Sequence, residues 1–290
     1  MNQPTSNARP RLARIDTHAH VFTRTLPLAD GRRYAPDYNA TIDTYRKLLD
    51  DSNIDNAVLV QPSFLGNDNS HLLQALATDR TRLRGVAVVS PDISEDDLTQ
   101  LNDQGITGVR LNLVGQPLPD INAAPYTRLW RQLSKLGWHV ELHRAASDLP
   151  PLVNALVDAG LAVVVDHFGR PDPHSGTSDP GFRNLLKTGR SGRVWVKLSG
   201  AYRCANPVAG FVHDATDQLI NAFGPERLMW GSDWPHTQYE EITDYGKTLS
   251  TLLDLGLEPS LVDTILCTTA REFYQFDKAP AGVIAAYLSR

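Results

Sequence analysis

Apolar runs of five to seven residues alternate with longer amphipathic stretches along this chain. The runs at 14–20, 56–61, 84–89, 108–112, 139–143, 162–167, 194–199 and 227–233 predict eight strands. Between them lie helical patterns with readable punctuation. Residues 41–52 place Ile42, Tyr45, Leu48 and Leu49 on one face. Ser94 with Asp97 forms a capping box before Leu98 and Leu101. Pro125 opens a helix carrying Leu129, Leu133 and Leu136, and Gly137 closes it. Leu152, Val153, Leu156 and Val157 form a stripe ended by Gly160, and Phe211, Ala215, Leu219 and Ile220 form another before Gly224. Segments 239–255 and 260–274 add helices near the C-terminus. Eight strands with intervening helices predict an α/β fold, a (β/α)8 TIM barrel with extra C-terminal helices. The barrel is expected over 14–290 as one domain, after a flexible lead-in at 1–13. A doubly wound open sheet is the rival, but no glycine-rich phosphate loop follows the first strand.

Composition narrows the function classes. A length of 290 residues suits a single barrel. The net charge of −5 argues against nonspecific nucleic-acid binding. No apolar run approaches membrane-spanning length, and the first ten residues lack the apolar centre of a signal peptide. Cys204 and Cys267 are far apart without metal-like spacing, so no disulfide framework is expected and a reducing cytoplasm is the default. Cys204 reads as a small buried hydrophobe. The oligomeric state is not legible.

Barrels of this kind carry their chemistry at the C-terminal ends of the strands. The first strand ends in His18-Ala19-His20, and residues i and i+2 of a strand share a face. Two imidazoles side by side suit a divalent metal or an electrophilic cradle for a carbonyl oxygen. A solvated polar strand end is the competing reading. Later strands deliver Ser63, Arg110 with Asn112, His143-Arg144, Asp166-His167 with Arg170, Ser199 with Arg203, and Asp233 with His236. Four of the nine histidines fall at these ends, which favours function over scatter. Asp233, in the barrel mouth, can take a proton from water or ligate a metal. His18, His20 and His167 can complete a metal site or stabilise an oxyanion. Arg110, Arg170 and Arg203 form a positive rim suited to an anionic substrate. Some of these arginines are expected to pair instead with Glu141, Asp166 or Asp172, Arg144 most of all. Ser63 and Tyr34 are candidate hydrogen-bond donors to substrate.

The motifs Asp16-Thr17-His18-Ala19-His20-Val21-Phe22, Asp166-His167-Phe168-Gly169-Arg170-Pro171, Lys197-Leu198-Ser199-Gly200 and Gly231-Ser232-Asp233-Trp234-Pro235-His236 resemble the amidohydrolase superfamily. Within it, the chain is similar to the 2-pyrone-4,6-dicarboxylate lactonase branch. Thr269-Ala270-Arg271-Glu272-Phe273-Tyr274 is similar to the superfamily's closing helix. The resemblance implies a barrel hydrolase acting on a small anionic lactone, with Asp233 as base. It implies that His18, His20 and His167 polarise the carbonyl, and that Arg110, Arg170, Arg203 and His236 hold carboxylates. It implies no required metal in that branch and zinc in relatives; His18, His20, His167 and Asp233 would then be the ligands, with His143 within reach. Gln116 and Leu142 stand where the dicarboxylate lactonases carry an arginine and a tyrosine, so one carboxylate clamp is expected to differ. The rivals are a zinc-dependent relative acting on a sugar lactone or sulfonated muconolactone, a nonoxidative decarboxylase, and a non-catalytic binding protein on the same barrel.

Overall fold

The computed structural model describes residues 11–204 and 208–278. Positions 1–10 of the expected lead-in, and the expected domain beyond 278, lie outside the described residues. Eight strands are present: β1 (Ile15–Ala19), β2 (Asn56–Val60), β3 (Leu83–Ala87), β4 (Ile106–Asn112), β5 (His139–His143), β6 (Ala162–Val165), β7 (Val194–Leu198) and β8 (Leu228–Trp230). They pair in parallel in chain order. The ring closes just past β8, where Asp233 N–H donates to the His18 carbonyl and His20 N–H to the Trp234 carbonyl, both at 2.8 Å.

Helices follow where the periodicity placed them: α1 (Ile42–Asp51), α3 (Glu95–Asp103), α4 (Ala124–Leu136), α5 (Leu149–Asp158) and α7 (Val208–Phe223). Ser94 caps α3 as expected, its Oγ accepting from Asp97 N–H at 3.0 Å, but in place of the reciprocal backbone bond its hydroxyl donates to Asp97 Oδ2 at 2.7 Å. Gly137 ends α4 at φ 68°, a conformation that favours glycine. Two helices were not predicted. These are α2 (Ser70–Ala77) and α6 (Pro180–Lys187), each eight residues long. The expected helix at 239–255 shortens to α8 (Tyr245–Leu253), because Asp244 caps it by accepting from Lys247 N–H. Segment 260–274 is α9 (Pro259–Asp263), a π turn over Thr264–Thr268, and α10 (Thr269–Phe273). No helix among the described residues is long and apolar enough to cross a membrane.

Alternation along the strands sorts the side chains. Val140, Leu142, Val163, Val165, Val196 and Leu198 point outward into the helix layer, beside Leu133, Leu156, Phe182 and Leu219. Each such apolar burial contributes about 1.5–3 kcal/mol. Ile15, Val58, Val60, Val86, Val164 and Met229 point inward and meet Ala270 and Tyr274 from α10, which plugs the N-terminal end of the barrel. One irregularity positions the opposite, C-terminal mouth. Asp16 aligns with Ala57, but Ala19 aligns with Leu59, so β1 carries an extra residue there. A regular strand would place Asp16, His18 and His20 on one face. The bulge turns Asp16 outward, where Tyr45 and Tyr245 donate to its carboxylate at 2.8 and 3.1 Å, and leaves both imidazoles facing inward.

Candidate active site

Three imidazole nitrogens and one carboxylate oxygen converge at the mouth. Nε2 of His18, His20 and His167 lies 3.9, 3.9 and 4.0 Å from Asp233 Oδ1. All four residues are buried. Two glycines make the convergence possible. A Cβ at Gly231 would lie 2.7 Å from His18 Cβ, and one at Gly200 would lie 2.8 Å from His167 Nδ1. The backbone is strained here as well. Among the described residues, eight non-glycine positions have positive φ. Six of them, His167, Phe168, Arg170, Asp233, His236 and Gln238, sit in the loops after β6 and β8. Each costs roughly 1–3 kcal/mol, strain that concentrates at functional sites.

Burial keeps the rings neutral. It pushes His20 down to about 4 and His167 down to about 3, and it holds His18 well below the usual imidazole range. The ring protons are partly fixed by partners. His20 Nδ1 lies 2.7 Å from the Val60 carbonyl, which can only accept, so His20 Nε2 faces the mouth as a bare acceptor. His167 Nδ1 meets Ser199 Oγ at 2.9 Å. His18 Nδ1 lies 3.1 Å from Lys197 Nζ and 3.3 Å from Asp166 Oδ1, and its buried Nε2 has no hydrogen-bond partner. Asp233 is held from behind: Tyr202 Oη and Arg203 Nε both donate to its Oδ2 at 2.6 Å. Burial alone would raise its pKa; Arg203 and then the imidazoles outweigh that and hold the carboxyl well below its usual range.

Beneath the imidazoles lies a buried charge network. Lys197 pairs with Glu141 Oε2, and its Nζ lies 3.8 Å from Asp166. Arg110 donates to Asp166 Oδ2 through Nε and Nη2 at 3.0 and 2.8 Å and lies 3.3 Å from Glu141. Glu141 is pushed up to about 7, by burial first and then by Asp166. Asp166 goes the other way, because His18, Arg110 and Lys197 outweigh its burial.

The mouth above is lined by His20, Arg33, Tyr34, Ser63, Arg110, Asn112, His143, Arg170, Arg203, Asp233 and the 237–239 segment, among others. Tyr34 and Ser63 therefore stand where expected, Tyr34 bonded to Thr237 Oγ1 at 3.0 Å. Several expectations change. Arg110 is not a free rim cation, since two buried carboxylates hold it. Arg203 touches the mouth but is committed to Asp233. His143 has no nitrogen left for a metal: Arg110 Nη2 lies 3.0 Å from its Nδ1 and Arg170 Nη1 3.1 Å from its Nε2. His236 is buried behind Tyr202, 3.2 Å from its hydroxyl, and does not line the mouth. Leu142 points outward into the helix layer, and Gln116 is exposed, so neither substitution alters the mouth directly. Arg144 is structural as expected, but its partner is Asp148 at 2.7 Å. Cys204 is buried, its thiol pushed up to about 12 by burial.

The sequence reading missed Arg33, which lies in the long loop after β1, a region without periodicity. It placed Lys197 and Tyr202 at the end of the seventh strand but gave neither a role, because a β-pattern says nothing about the partner of Lys197 and Tyr202 reads as a loop aromatic beside Arg203.

The chain matches the amidohydrolase family over residues 15–276. A 2-pyrone-4,6-dicarboxylate hydrolase of Comamonas testosteroni is 32% identical over 247 residues, covering 78% of each chain. A 4-sulfomuconolactone hydrolase of Hydrogenophaga intermedia is 31% identical over 232 residues, covering 78% of this chain and 76% of the relative. A solved structure from Pseudomonas putida, provisionally named 2-pyrone-4,6-dicarboxylic acid hydrolase, is 45% identical and covers 93% of this chain and 100% of its own, with a TM-score of 0.87. A match of this extent establishes that the chain belongs to the amidohydrolase family.

Proposed function

We propose that this protein is a lactonase that hydrolyses a small dianionic lactone, 2-pyrone-4,6-dicarboxylate or a close analogue. The observation that carries this reading is the charge inventory of the mouth. Counting the mouth and the buried network beneath it, five cations, Arg33, Arg110, Arg170, Lys197 and Arg203, face three carboxylates, Asp166, Asp233 and, above about pH 7, an ionised Glu141. The imidazoles are neutral, so a surplus of two positive charges remains in an otherwise acidic protein. A substrate with two anionic groups neutralises it. The named relatives act on lactones bearing carboxylate or sulfo groups, which supports the same class.

In this reading a water sits between Asp233 Oδ1 and the imidazoles. Asp233 takes its proton as the oxygen attacks the lactone carbonyl. His20 Nε2, being an acceptor, orients the water and does not polarise the carbonyl. His18 and His167 are the rings whose inward nitrogens can carry a proton, and they stabilise the oxyanion. Tyr202 and Arg203 hold Asp233 ionised and correctly turned. Collapse of the tetrahedral intermediate expels the ring oxygen, which takes up the proton and opens the ring.

A divalent metal such as zinc fits His18, His20 and Asp233, whose ligand atoms lie within 4.8 Å of one another, and this second reading rests on the unpartnered His18 Nε2. His18, His20 and Asp233 would hold it, with His167 as the candidate fourth ligand and Val60 and Ser199 orienting two of the rings from behind. Bound there, it would supply Lewis-acid polarisation and a more acidic water. The test is a lactone panel led by 2-pyrone-4,6-dicarboxylate, with sugar lactones and dihydroxybenzoates included, assayed after exhaustive chelation and after zinc addition. Metal-independent hydrolysis of the dicarboxylate supports the first mechanism. Activity lost on chelation and restored by zinc supports the second. Tight dicarboxylate binding with no turnover of any compound overturns both.

A further inference from the structure

We infer that Arg33 is a specificity-determining residue, the second end of a two-ended anion clamp whose other end is Arg170. This inference rests on the dianionic-lactone reading and assigns its two charges.

Most of the mouth cations already have carboxylate partners. Lys197 and Arg110 are consumed by Glu141 and Asp166, and Arg203 by Asp233. Arg170 makes no carboxylate contact among the described residues; its Nη1 reaches only His143 Nε2. Arg33 likewise has no carboxylate partner among them, and its guanidinium lies 5.9 Å from the Tyr34 ring centroid. The two surplus charges are therefore these two side chains. They enter the mouth from different places, Arg170 from the loop after β6 and Arg33 from the loop after β1. In an eight-stranded ring these strands are not neighbours. A planar ring seated in the mouth between these two loops can meet one guanidinium from each side, as two anionic groups on separate ring positions require.

Arg33 also has a built path into the mouth. Its Cδ passes 3.1 Å from where a Cβ would stand on Gly115, in the loop after β4, and Gly115 has φ 72°. A side chain there would crowd the arginine and strain the turn. Arg33 is exposed at the rim; partial burial, with the charges of Arg170, Arg110 and Arg203 outweighing Tyr34, shifts its guanidinium downward.

The experiment uses two probes that need no turnover. Isophthalate is a flat, non-hydrolysable dianion with meta carboxylates, and benzoate is its monoanionic counterpart. Calorimetry should show wild-type protein preferring isophthalate. R33Q should weaken isophthalate at least tenfold and benzoate less than threefold. R33K, which keeps the charge but not the planar fork, should fall between. A tenfold loss is 1.4 kcal/mol, within reach of one charge-assisted hydrogen bond. With 2-pyrone-4,6-dicarboxylate, R33Q should raise KM tenfold and leave kcat within threefold. Equal losses for both probes, no loss for either, or a wild type without preference for isophthalate would overturn the clamp. A protein that binds isophthalate as described yet opens no lactone defeats the proposed reaction and leaves the Arg33 assignment standing.

Discussion

Changing Asp233 to asparagine separates chemistry from architecture at this site. The carboxamide keeps the side chain's size, and its oxygen can still accept from Tyr202 Oη and Arg203 Nε, now at 2.6 Å. What disappears is the proton acceptor at Oδ1, the atom on which three Nε2 nitrogens converge at 3.9–4.0 Å. General-base assistance is typically worth 10²–10⁴ in rate. At 1.36 kcal/mol per tenfold, that is about 3–5 kcal/mol of barrier. KM should not rise, because the substitution removes a negative charge and loosens Arg203 in a mouth that binds an anion. Folding should suffer less than from deletion of a buried ion-pair partner, which costs about 3–5 kcal/mol, because both hydrogen bonds survive. The assay is steady-state kinetics on 2-pyrone-4,6-dicarboxylate, with isophthalate binding and thermal unfolding as controls. A kcat within tenfold of wild type, in a folded variant, would refute the base assignment. A large rise in KM at constant kcat would make Asp233 a binding group instead.

Lys197→Met leaves Glu141 buried beside Asp166 without its ammonium, and we expect a loss of about 3–5 kcal/mol at pH 8. The loss should shrink at pH 5.5, where Glu141 can take a proton; equal losses in thermal melts at both pH values would contradict the network. Gly200→Ala puts a Cβ 2.8 Å from His167 Nδ1 and 3.0 Å from Asp233 Oδ2 at φ 56°, so kcat should fall at least tenfold while the barrel still folds; unchanged kinetics would show that His167 need not be held there. Stability should fall between pH 6.5 and 4. His20 stays neutral down to about 4, and His139 and His167 to about 3, whereas the same side chains in the unfolded chain bind protons from 6.5 downward. Each contributes roughly 1.4 kcal/mol per pH unit in that window. Glu141, raised to about 7, binds its proton in the folded state and offsets one of them between 7 and 4.5. A denaturation midpoint that does not move from pH 7.5 to pH 5 would refute these buried neutral rings.

The strands and most helices were legible because their signals are local. Period and caps reside in consecutive residues, as Ser94 with Asp97 and Gly137 show. Of the two eight-residue helices not predicted, α2 offers only two turns of pattern and no side-chain cap, whereas α6 carried a readable signal in Asp179, Pro180, Phe182, Leu185 and Leu186 that was not used. The site divides along the same line. His18, His20, His167 and Asp233 sit at strand ends, and a strand end in a barrel has one address. Which charges remain free is a pairwise property, and sequence order does not contain it. Arg110 lies 56 residues from Asp166, and Lys197 lies 56 residues from Glu141. Pairing with Glu141 or Asp166 was expected of some arginine, but nothing near Arg110 says that it is the one.

This division explains why the positive rim was misread in detail while its consequence survived. Counting arginines at strand ends gave an anionic substrate, and that inference holds only if enough of them are uncommitted. Two of the three chosen, Arg110 and Arg203, turned out to be neutralised by the protein's own carboxylates. Had Arg33 not entered from the β1 loop, one surplus charge would remain and a monoanion would suffice. The charge of the preferred ligand therefore depends on a residue outside every recognisable motif. In the proposed reaction the motifs themselves, His18-Ala19-His20 and Gly231-Ser232-Asp233, supply the attack on the carbonyl. The reaction and the substrate's charge are thus set by different parts of the chain. Substitutions in the β1 loop should change which lactone is bound before they change how fast it opens.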